Sequence, residues 1–272
     1  MKHAFFTLLL LPLLLFAKDD IYVGAGPYFQ TQPYKDADPV VLATPVIFFD
    51  NSLFYVRWTR VGMYFYGERG EDASWGLSFT AQPQVLGYYE TSGMTQLNNR
   101  TATPILQGMQ ERESGWEAGL AASYERGEWF AEFLLLQDVT DHSNGTKLRL
   151  ELGRSFRTGP WYFVPSVLAV WLSQPFANYY FGVRDDEAAP LLGRPAYRAD
   201  AALNLAVQTY VKYDLSEHWH LLANLRADRL ADTIVDSPLT GDRYMVSGML
   251  SVLYSFNLFG EEKAVLNPPE DR

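Results

Sequence analysis

From Ala199 to Tyr213 the chain reads ADAALNLAVQTYVKY, and the run alternates almost without error. Ala199, Ala201, Leu203, Leu205, Val207, Thr209, Val211 and Tyr213 form one set. Asp200, Ala202, Asn204, Ala206, Gln208, Tyr210 and Lys212 form the other. Successive side chains of a strand point to opposite faces, so the stretch predicts a strand with one apolar face and one wet face. Which hydrocarbon meets the apolar face is decided by the rest of the chain.

The N-terminus supplies the context. Lys2 and His3 precede a run from Phe5 to Phe16 that only Thr7 and Pro12 interrupt, and Ala17 stands just before Lys18-Asp19-Asp20. This predicts a signal peptide over residues 1–17 that export removes. A spanning helix needs about 20 apolar residues, more than this run offers. Further along, charge breaks every apolar stretch within a few residues, so no helix is expected to cross a membrane. The chain has no cysteine, which excludes disulfides and lipid attachment through an N-terminal cysteine. An exported chain of this kind belongs in the periplasm, the medium or the outer membrane.

Composition narrows the choice. Aromatic residues make up 15% and charged residues only 20%, a balance that fits an outer-membrane barrel. The net charge of −10 argues against nucleic acid as a partner. No linker divides residues 18–256, which read as one domain.

Other segments repeat the alternating pattern. Trp116, Ala118, Leu120, Ala122 and Tyr124 oppose Glu117, Gly119, Ala121, Ser123 and Glu125. Leu148, Leu150 and Leu152 oppose Lys147, Arg149 and Glu151. Trp219, Leu221, Ala223, Leu225 and Ala227 oppose a set containing His220, Asn224, Arg226 and Asp228. The last segment ends on Tyr244, Val246, Gly248, Leu250, Val252, Tyr254 and Phe256. Rings at the ends of these bands, Trp116, Tyr124, Trp219, Tyr244, Tyr254 and Phe256, predict the two aromatic girdles of a membrane barrel. Tight turns at 126–128, 158–160 and 216–218 alternate with longer connections at 141–145, 174–195 and 232–243, the rhythm of periplasmic turns and external loops.

Together these features predict an all-β, transmembrane antiparallel β-barrel of the bacterial outer membrane. Candidate strands cover 21–30, 39–49, 53–66, 74–83, 114–126, 128–139, 146–157, 160–172, 197–214, 219–231 and 243–256. That count is odd, whereas a closed bacterial barrel is even. Either 84–113 hides a further strand, giving twelve, or two N-terminal candidates form one bent strand near 59–62, giving ten. Twelve is the preferred count.

The residues then resemble a known family, the MipA/OmpV outer-membrane proteins. The resemblance rests on Tyr179-Tyr180-Phe181-Gly182-Val183, Glu187-Ala188, Gly193 and Tyr197, then on Leu215-Ser216-Glu217-His218-Trp219, Arg229-Leu230, Asp236-Ser237-Pro238 and Tyr254-Ser255-Phe256. Gly24 to Tyr28, Pro45, Gly119 to Tyr124 and Gln137-Asp138-Val139 extend it across the mature chain. The residues carried over are Tyr180, Gly182, Val183, Glu187, Ala188, Trp219 and Phe256. The resemblance implies a barrel without enzymatic activity or cofactor. Its namesake resembles a scaffold that holds a lytic transglycosylase and a bifunctional penicillin-binding protein in one murein-synthesising complex, while other members look porin-like or adhesin-like. The chain departs from the family by continuing past Phe256: residues 257–272, with Pro268-Pro269 and Glu270-Asp271, read as an unstructured periplasmic tail.

No catalytic or metal site is expected. Asp141-His142 and Asp185-Asp186 have the residue types of an acid–histidine protease, but both pairs read as loop residues that bond their own backbone. His142-Ser143-Asn144 has the types of a phospholipase at the wrong spacing. His218 and His220 share a face without a third ligand and read as a solvated turn. The inner charges Lys147, Arg149, Glu151, Asp200, Lys212, Arg226 and Asp228, joined by Asn204 and Gln208, mix both signs. They predict a salt-bridged plug more than a single-sign filter. A narrow porin-like channel for small solutes is the alternative. Adhesion through Phe176, Tyr179, Tyr180 and Phe181 is a third reading, against which these rings belong to a girdle or cover the barrel mouth.

Overall fold

The computed structural model describes residues 21–51, 53–70, 72–88 and 103–256; the predicted leader and tail lie outside them. Twelve strands form one closed antiparallel barrel: β1 (Ile21–Gln30), β2 (Val40–Asp50), β3 (Phe54–Arg57), β4 (Arg60–Arg69), β5 (Ala73–Gln84), β6 (Gly115–Arg126), β7 (Trp129–Asp138), β8 (Thr146–Arg154, resuming as Phe156–Thr158), β9 (Trp161–Leu172), β10 (Ala202–Asp214), β11 (Trp219–Arg229) and β12 (Tyr244–Phe256). Each strand pairs with the next, and β1 closes on β12 from Ile21 opposite Phe256 to Gln30 opposite Ser247. Closure pairs the strands along most of the wall, so backbone groups within the bilayer find partners there except where the short β3 leaves the outer part of β2 without a second neighbour. Among the described residues no helix is long and apolar enough to cross a membrane.

The even count arises differently from either route the sequence offers. Candidate 53–66 is two strands, because the chain reverses at Trp58-Thr59 and brings Arg57 opposite Arg60. Trp58 adopts a left-handed backbone with φ of 58°, and no glycine or asparagine announces the turn. Its ring is held instead, packing edge-on against Tyr28 with centroids 5.3 Å apart and donating from Nε1 to Thr44 Oγ1 at 3.2 Å. The described part of 84–113 adds a single 3-10 turn, Pro104–Leu106, and an isolated bridge between Tyr88 and Arg112.

The reversals at the end of the barrel that holds Ile21 and Phe256 are tight. Gly127 and Gly159 have φ of 57° and 56°, a conformation that costs little only without a Cβ. The break in β8, at Ser155, comes just after Arg154, the position that faces Pro165 of β9, which has no amide hydrogen to give the ladder, and the same register resumes beyond it. Both described ends of the chain lie with these short turns, which is the periplasmic side in bacterial barrels. The connections 173–201 and 230–243 and the described parts of 85–114 gather at the opposite mouth.

The alternation of 199–213 holds only from Ala202. Leu203, Leu205 and Val207 face outward and are exposed, whereas Ala202, Asn204, Ala206 and Lys212 are buried within. Residues 197–201 do not extend the strand, because the preceding connection folds over the mouth. Val183 bridges Tyr197, and Asn178 Oδ1 accepts the Ala199 amide at 3.1 Å. Ala199, expected toward lipid, is fully buried in the packed loops, and Asp200, expected toward the lumen, is exposed and donates its amide to Thr233 Oγ1 at 2.9 Å.

Candidate functional site

The interior carries three tiers of charge. In the upper tier, Lys147 at the outer end of β8 lies 2.7 Å from Glu117 of β6 and donates to Gln84 of β5 at 2.8 Å, its ammonium 5.0 Å from the Phe176 ring centroid. The middle tier centres on Glu132, which shares the inner face of β7 with the apolar Phe130, Leu134 and Leu136. Arg57 and Arg60 donate to it at 2.8 and 2.6 Å, and Arg149 lies 3.5 Å away. Arg149 also pairs with Glu151, which accepts from Ser166 at 2.7 Å and Gln208 at 3.3 Å. Arg57 reaches on to Asp50 at 2.7 Å, so the network runs from β2 to β10.

The lower tier joins Lys212 to Asp214 at 3.3 Å, with the Lys212 ammonium 5.2 Å from the Tyr22 ring centroid. Beside this tier an apolar patch of Tyr22, Val46, Leu222, Met249 and Leu253 packs with Tyr28, Phe48, Trp58 and Tyr210. Arg226 and Asp228 pair with each other on β11 at 2.8 Å. Lys147, Arg149, Glu151, Asn204, Gln208, Lys212, Arg226 and Asp228 therefore all face the interior, and Asp200 does not. A chamber of about 540 Å³ remains between the networks, reaching from the turn at Gly127-Glu128 to Phe176 and Phe181.

The outer mouth is roofed. α1 (Gln174–Phe181) buries Phe176, Ala177, Tyr180 and Phe181 against Leu106, Tyr34 and Tyr88, and against Ile234 of the short helix α2 (Asp232–Val235) and Leu239 beyond it. Burying each large side chain stabilises by about 1.5–3 kcal/mol, which accounts for the packing of four connections that share no strand. Burial of Phe176, Tyr180 and Phe181, each 2% exposed or less, removes them as adhesive anchors; they cover the mouth. It also pushes the Tyr34 and Tyr88 hydroxyls up, so both stay neutral.

Arg112 fastens this roof. It is 1% exposed, and its Nη2 lies 2.8 Å from both carboxylate oxygens of Glu187 while Nε donates to the Tyr179 carbonyl at 2.8 Å. Burial alone raises the Glu187 pKa, but the Arg184 amide and the Arg112 guanidinium outweigh it and hold the carboxylate below its usual range. Arg194 donates to the carbonyls of Glu187 and Gln107 at 3.0 and 2.8 Å. Sequence reasoning passed over Arg112 and Arg194 because both lie in connections without periodicity. It also passed over Glu132, although a single carboxylate within Trp129 to Leu136 was a visible signal.

The family-motif residues fall in two places. Tyr180 donates to the Glu113 carbonyl at 3.1 Å, Gly182 closes α1, Val183 bridges Tyr197, Glu187 carries the Arg112 contact, and Ala188 caps the 3-10 turn Asp185–Glu187. Gly182 has no room for a Cβ, which would sit 2.4 Å from the Asn178 carbonyl oxygen. Trp219, Tyr254 and Phe256 cluster at the periplasmic rim, with ring centroids 5.0 and 4.8 Å apart. Tyr124 lies toward the same end on β6, whereas Trp116 and Tyr244 stand at the outer ends of β6 and β12.

The candidate chemical groups are engaged otherwise. His142 Nε2 lies 3.3 Å from Glu113, and Asp186 accepts from Gln110 at 3.1 Å, so these two loop pairs hold other partners. Ser143 donates amide and hydroxyl to Asp138, which also takes the His142 and Asn144 amides and thereby shapes the loop. His218 stacks on Tyr254, whereas His220 is buried rather than in a solvated turn: its Nδ1 lies 2.6 Å from Asp214 and its Nε2 3.1 Å from Ser255 Oγ. This order of contacts resembles a hydrolase relay, but Ser255 is buried and does not line the chamber, so the set reads as a brace between β10, β11 and β12. Among the described residues no cluster of three or more acidic, histidine or cysteine side chains is placed to hold a metal.

Comparison with known proteins agrees with this architecture. A family model described as MltA-interacting protein MipA matches residues 23–256. The putative outer membrane protein YiaT of Escherichia coli K12 is 27% identical, with 81% of this chain and 84% of that protein covered. The MltA-interacting protein of the same strain is 26% identical over 88% of this chain and 92% of its own. The outer membrane protein OmpV of Vibrio cholerae is 25% identical over 85% and 84%.

Proposed function

The chain belongs to the MipA family and is an outer-membrane β-barrel, and on that premise we propose that it is a non-enzymatic platform whose periplasmic end docks a murein lytic transglycosylase. The observation that carries this reading is the filling of the interior: three tiers of ion pairs brace the lumen, and a packed apolar roof covers its outer mouth. Such a barrel is built to be rigid rather than to pass solutes. The surface left for work is the periplasmic rim. There Trp129 is 63% exposed with the Arg154 guanidinium 5.6 Å from its ring centroid, and Trp219 is also exposed. Exposed tryptophan and arginine are the residue types most enriched at the energetic centres of protein interfaces.

One relative's name, MltA-interacting protein, supports a transglycosylase as the partner. A penicillin-binding protein recruited to the same rim would complete the hydrolase–synthase complex that the family resemblance implies. The test is capture of a purified lytic transglycosylase by the full-length barrel reconstituted in vesicles with its periplasmic end outward. Saturable binding at micromolar concentration is expected, weakened by Trp129→Ala; no binding at that concentration overturns the reading.

A further inference from the structure

The barrel wall has a notch in its outer half. β3 has only four residues, so β2 pairs with it over Phe48–Asp50 alone, and Trp58 adds one bond to the Ile47 carbonyl at 2.9 Å. Above that point Val40–Val46 keeps β1 on one side and, among the described residues, has no strand on the other. Across the gap, β4 pairs with β5 no further than Val61 opposite Ala81, which leaves Gln82–Gln84 bonded only to β6. A proline sits in each free edge, Pro45 and Pro83, where a missing amide hydrogen is tolerated because one side of the strand is unpaired. The turn Trp58-Thr59 forms the floor of the notch.

Behind the notch lies the chamber of about 540 Å³, a volume in the range that holds one small amphiphile. Its outer part is apolar, formed by Leu86, Leu172, Phe176, Phe181 and Met245 beneath the roof. Its other pole carries guanidinium groups among carboxylates. Arg60 and Arg149 line it, and Arg60 Nη1 and Arg149 Nε are buried with no hydrogen-bond partner among the described residues. A buried donor left unpaired forfeits its hydration without a replacement, so two such donors beside a cavity call for an acceptor in it.

Charge sets the kind of acceptor. The hydrogen-bonded network here joins the guanidinium groups of Arg57, Arg60, Arg69 and Arg149 to only three carboxylates, Asp50, Glu132 and Glu151. Of the other carboxylates lining the chamber, Asp228 is held by Arg226 and Glu128 by Arg154, while Glu125 on β6 interacts with Arg57 and Arg69, which leaves the unpaired donors of Arg60 and Arg149 as the groups that ask for an acceptor.

We infer that the chamber binds a single-chain anionic amphiphile, its carboxylate or phosphate head on Arg60 and Arg149 and its chain under the roof, admitted from the bilayer through the notch between β2 and β5. The inference is independent of docking at the periplasmic rim.

The test uses the full-length barrel in phosphatidylcholine vesicles. A fatty acid carrying a diazirine on its chain is cross-linked by light, and the adducts are mapped by mass spectrometry. Adducts concentrated on residues 40–46, 58–60 and 82–86 and on the chamber wall, saturable and displaced by dodecanoate, are expected. Adducts spread evenly around the outer surface would mean only annular lipid and overturn the proposal. Arg60→Gln should weaken labelling about tenfold, the worth of one charge-assisted hydrogen bond. Unchanged labelling in a folded Arg60→Gln barrel counts against the head site. Should that variant not fold, wild-type protein decides: dodecanol competing as well as dodecanoate overturns the anionic head.

Discussion

Arg112, in the connection between β5 and β6, and Glu187, in the connection between β9 and β10, form an ion pair whose side chains are 2% and 1% exposed. They stand 75 residues apart, and neither belongs to a strand. The pair therefore does something the wall cannot: it ties two long outer connections to each other. Because the barrel closes without them, the roof and the wall are separable units of stability.

Separability predicts a selective effect of Arg112→Ala. Removing one partner of a buried pair costs about 3–5 kcal/mol, because the remaining charge has no compensation. That loss should fall on the roof alone. Amide exchange is expected to quicken over residues 103–114 and 174–198, with protection of β6 to β12 unchanged. Equal quickening in the strands would show that roof and wall melt as one.

Acid should loosen the same place. The pKa of Glu187 is lowered in the folded chain, so its contribution is fully present above the ordinary carboxylate range and is lost as pH falls through the lowered value. Roof protection is expected to hold at neutral pH and to fall away only on strong acidification. In Glu187→Gln the pH dependence should disappear while protection is weaker throughout. A roof whose exchange does not change with acidification in the wild type would remove Glu187 as its acid-sensitive group.

The wall was far more legible in the sequence than the roof, for a physical reason. A strand between lipid and lumen repeats its environment every two residues, and Leu203 to Val207 or Lys147 to Leu152 write that period plainly. The roof has no period: Phe176, Tyr180 and Phe181 pack on residues from three other connections, and only the fold brings Arg112 to them. Trp58 shows the intermediate case. Its left-handed turn is paid for by contacts with Tyr28 and Thr44, so the strand count depended on tertiary packing that no local signal carries. Ala199 shows the opposite error, since small residues continued an alternation beyond the end of β10.

The two faces of β10 predict opposite responses to a charge. Val207 is 58% exposed and stands opposite Val167 and Ala227, well within the wall, so Val207→Arg puts a guanidinium in hydrocarbon at about 2–4 kcal/mol. Gln208→Arg, one residue on, points into the chamber beside Glu151 and should be accepted. Heat-modifiable gel mobility after expression measures insertion. Equal losses for the two variants would contradict the assigned facing.

Glu132 is the hub of the middle tier, and its replacement should be costly out of proportion to its size. Arg57, Arg60 and Arg149 all lie within 3.5 Å of its carboxylate. Glu132→Ala leaves three neighbouring cations with less compensation, at a cost of about 3–5 kcal/mol. The unfolding midpoint of the whole barrel in urea is expected to drop, unlike that of Arg112→Ala. Adding Arg60→Gln to Glu132→Ala should recover part of the loss, because it removes one of the stranded charges. No recovery would mean that Glu132 acts through packing and not through charge.

Conduction separates a braced platform from a channel. The chamber reaches the periplasmic turn at Gly127-Glu128, whereas its outer end meets Phe176 and Phe181 under the roof, so the barrier to flow lies at one mouth. In planar bilayers the wild-type barrel is expected to pass no steady current above background. Opening the roof with Arg112→Ala together with Phe176→Ala should produce discrete steps, since the second change also removes a buried ring worth about 3–5 kcal/mol of packing. Steps in the double variant and none in the wild type would locate the barrier in the roof. Steady wild-type current that survives deletion of residues 257–272 would instead make the chain a channel, and the bracing charges would then be its lining.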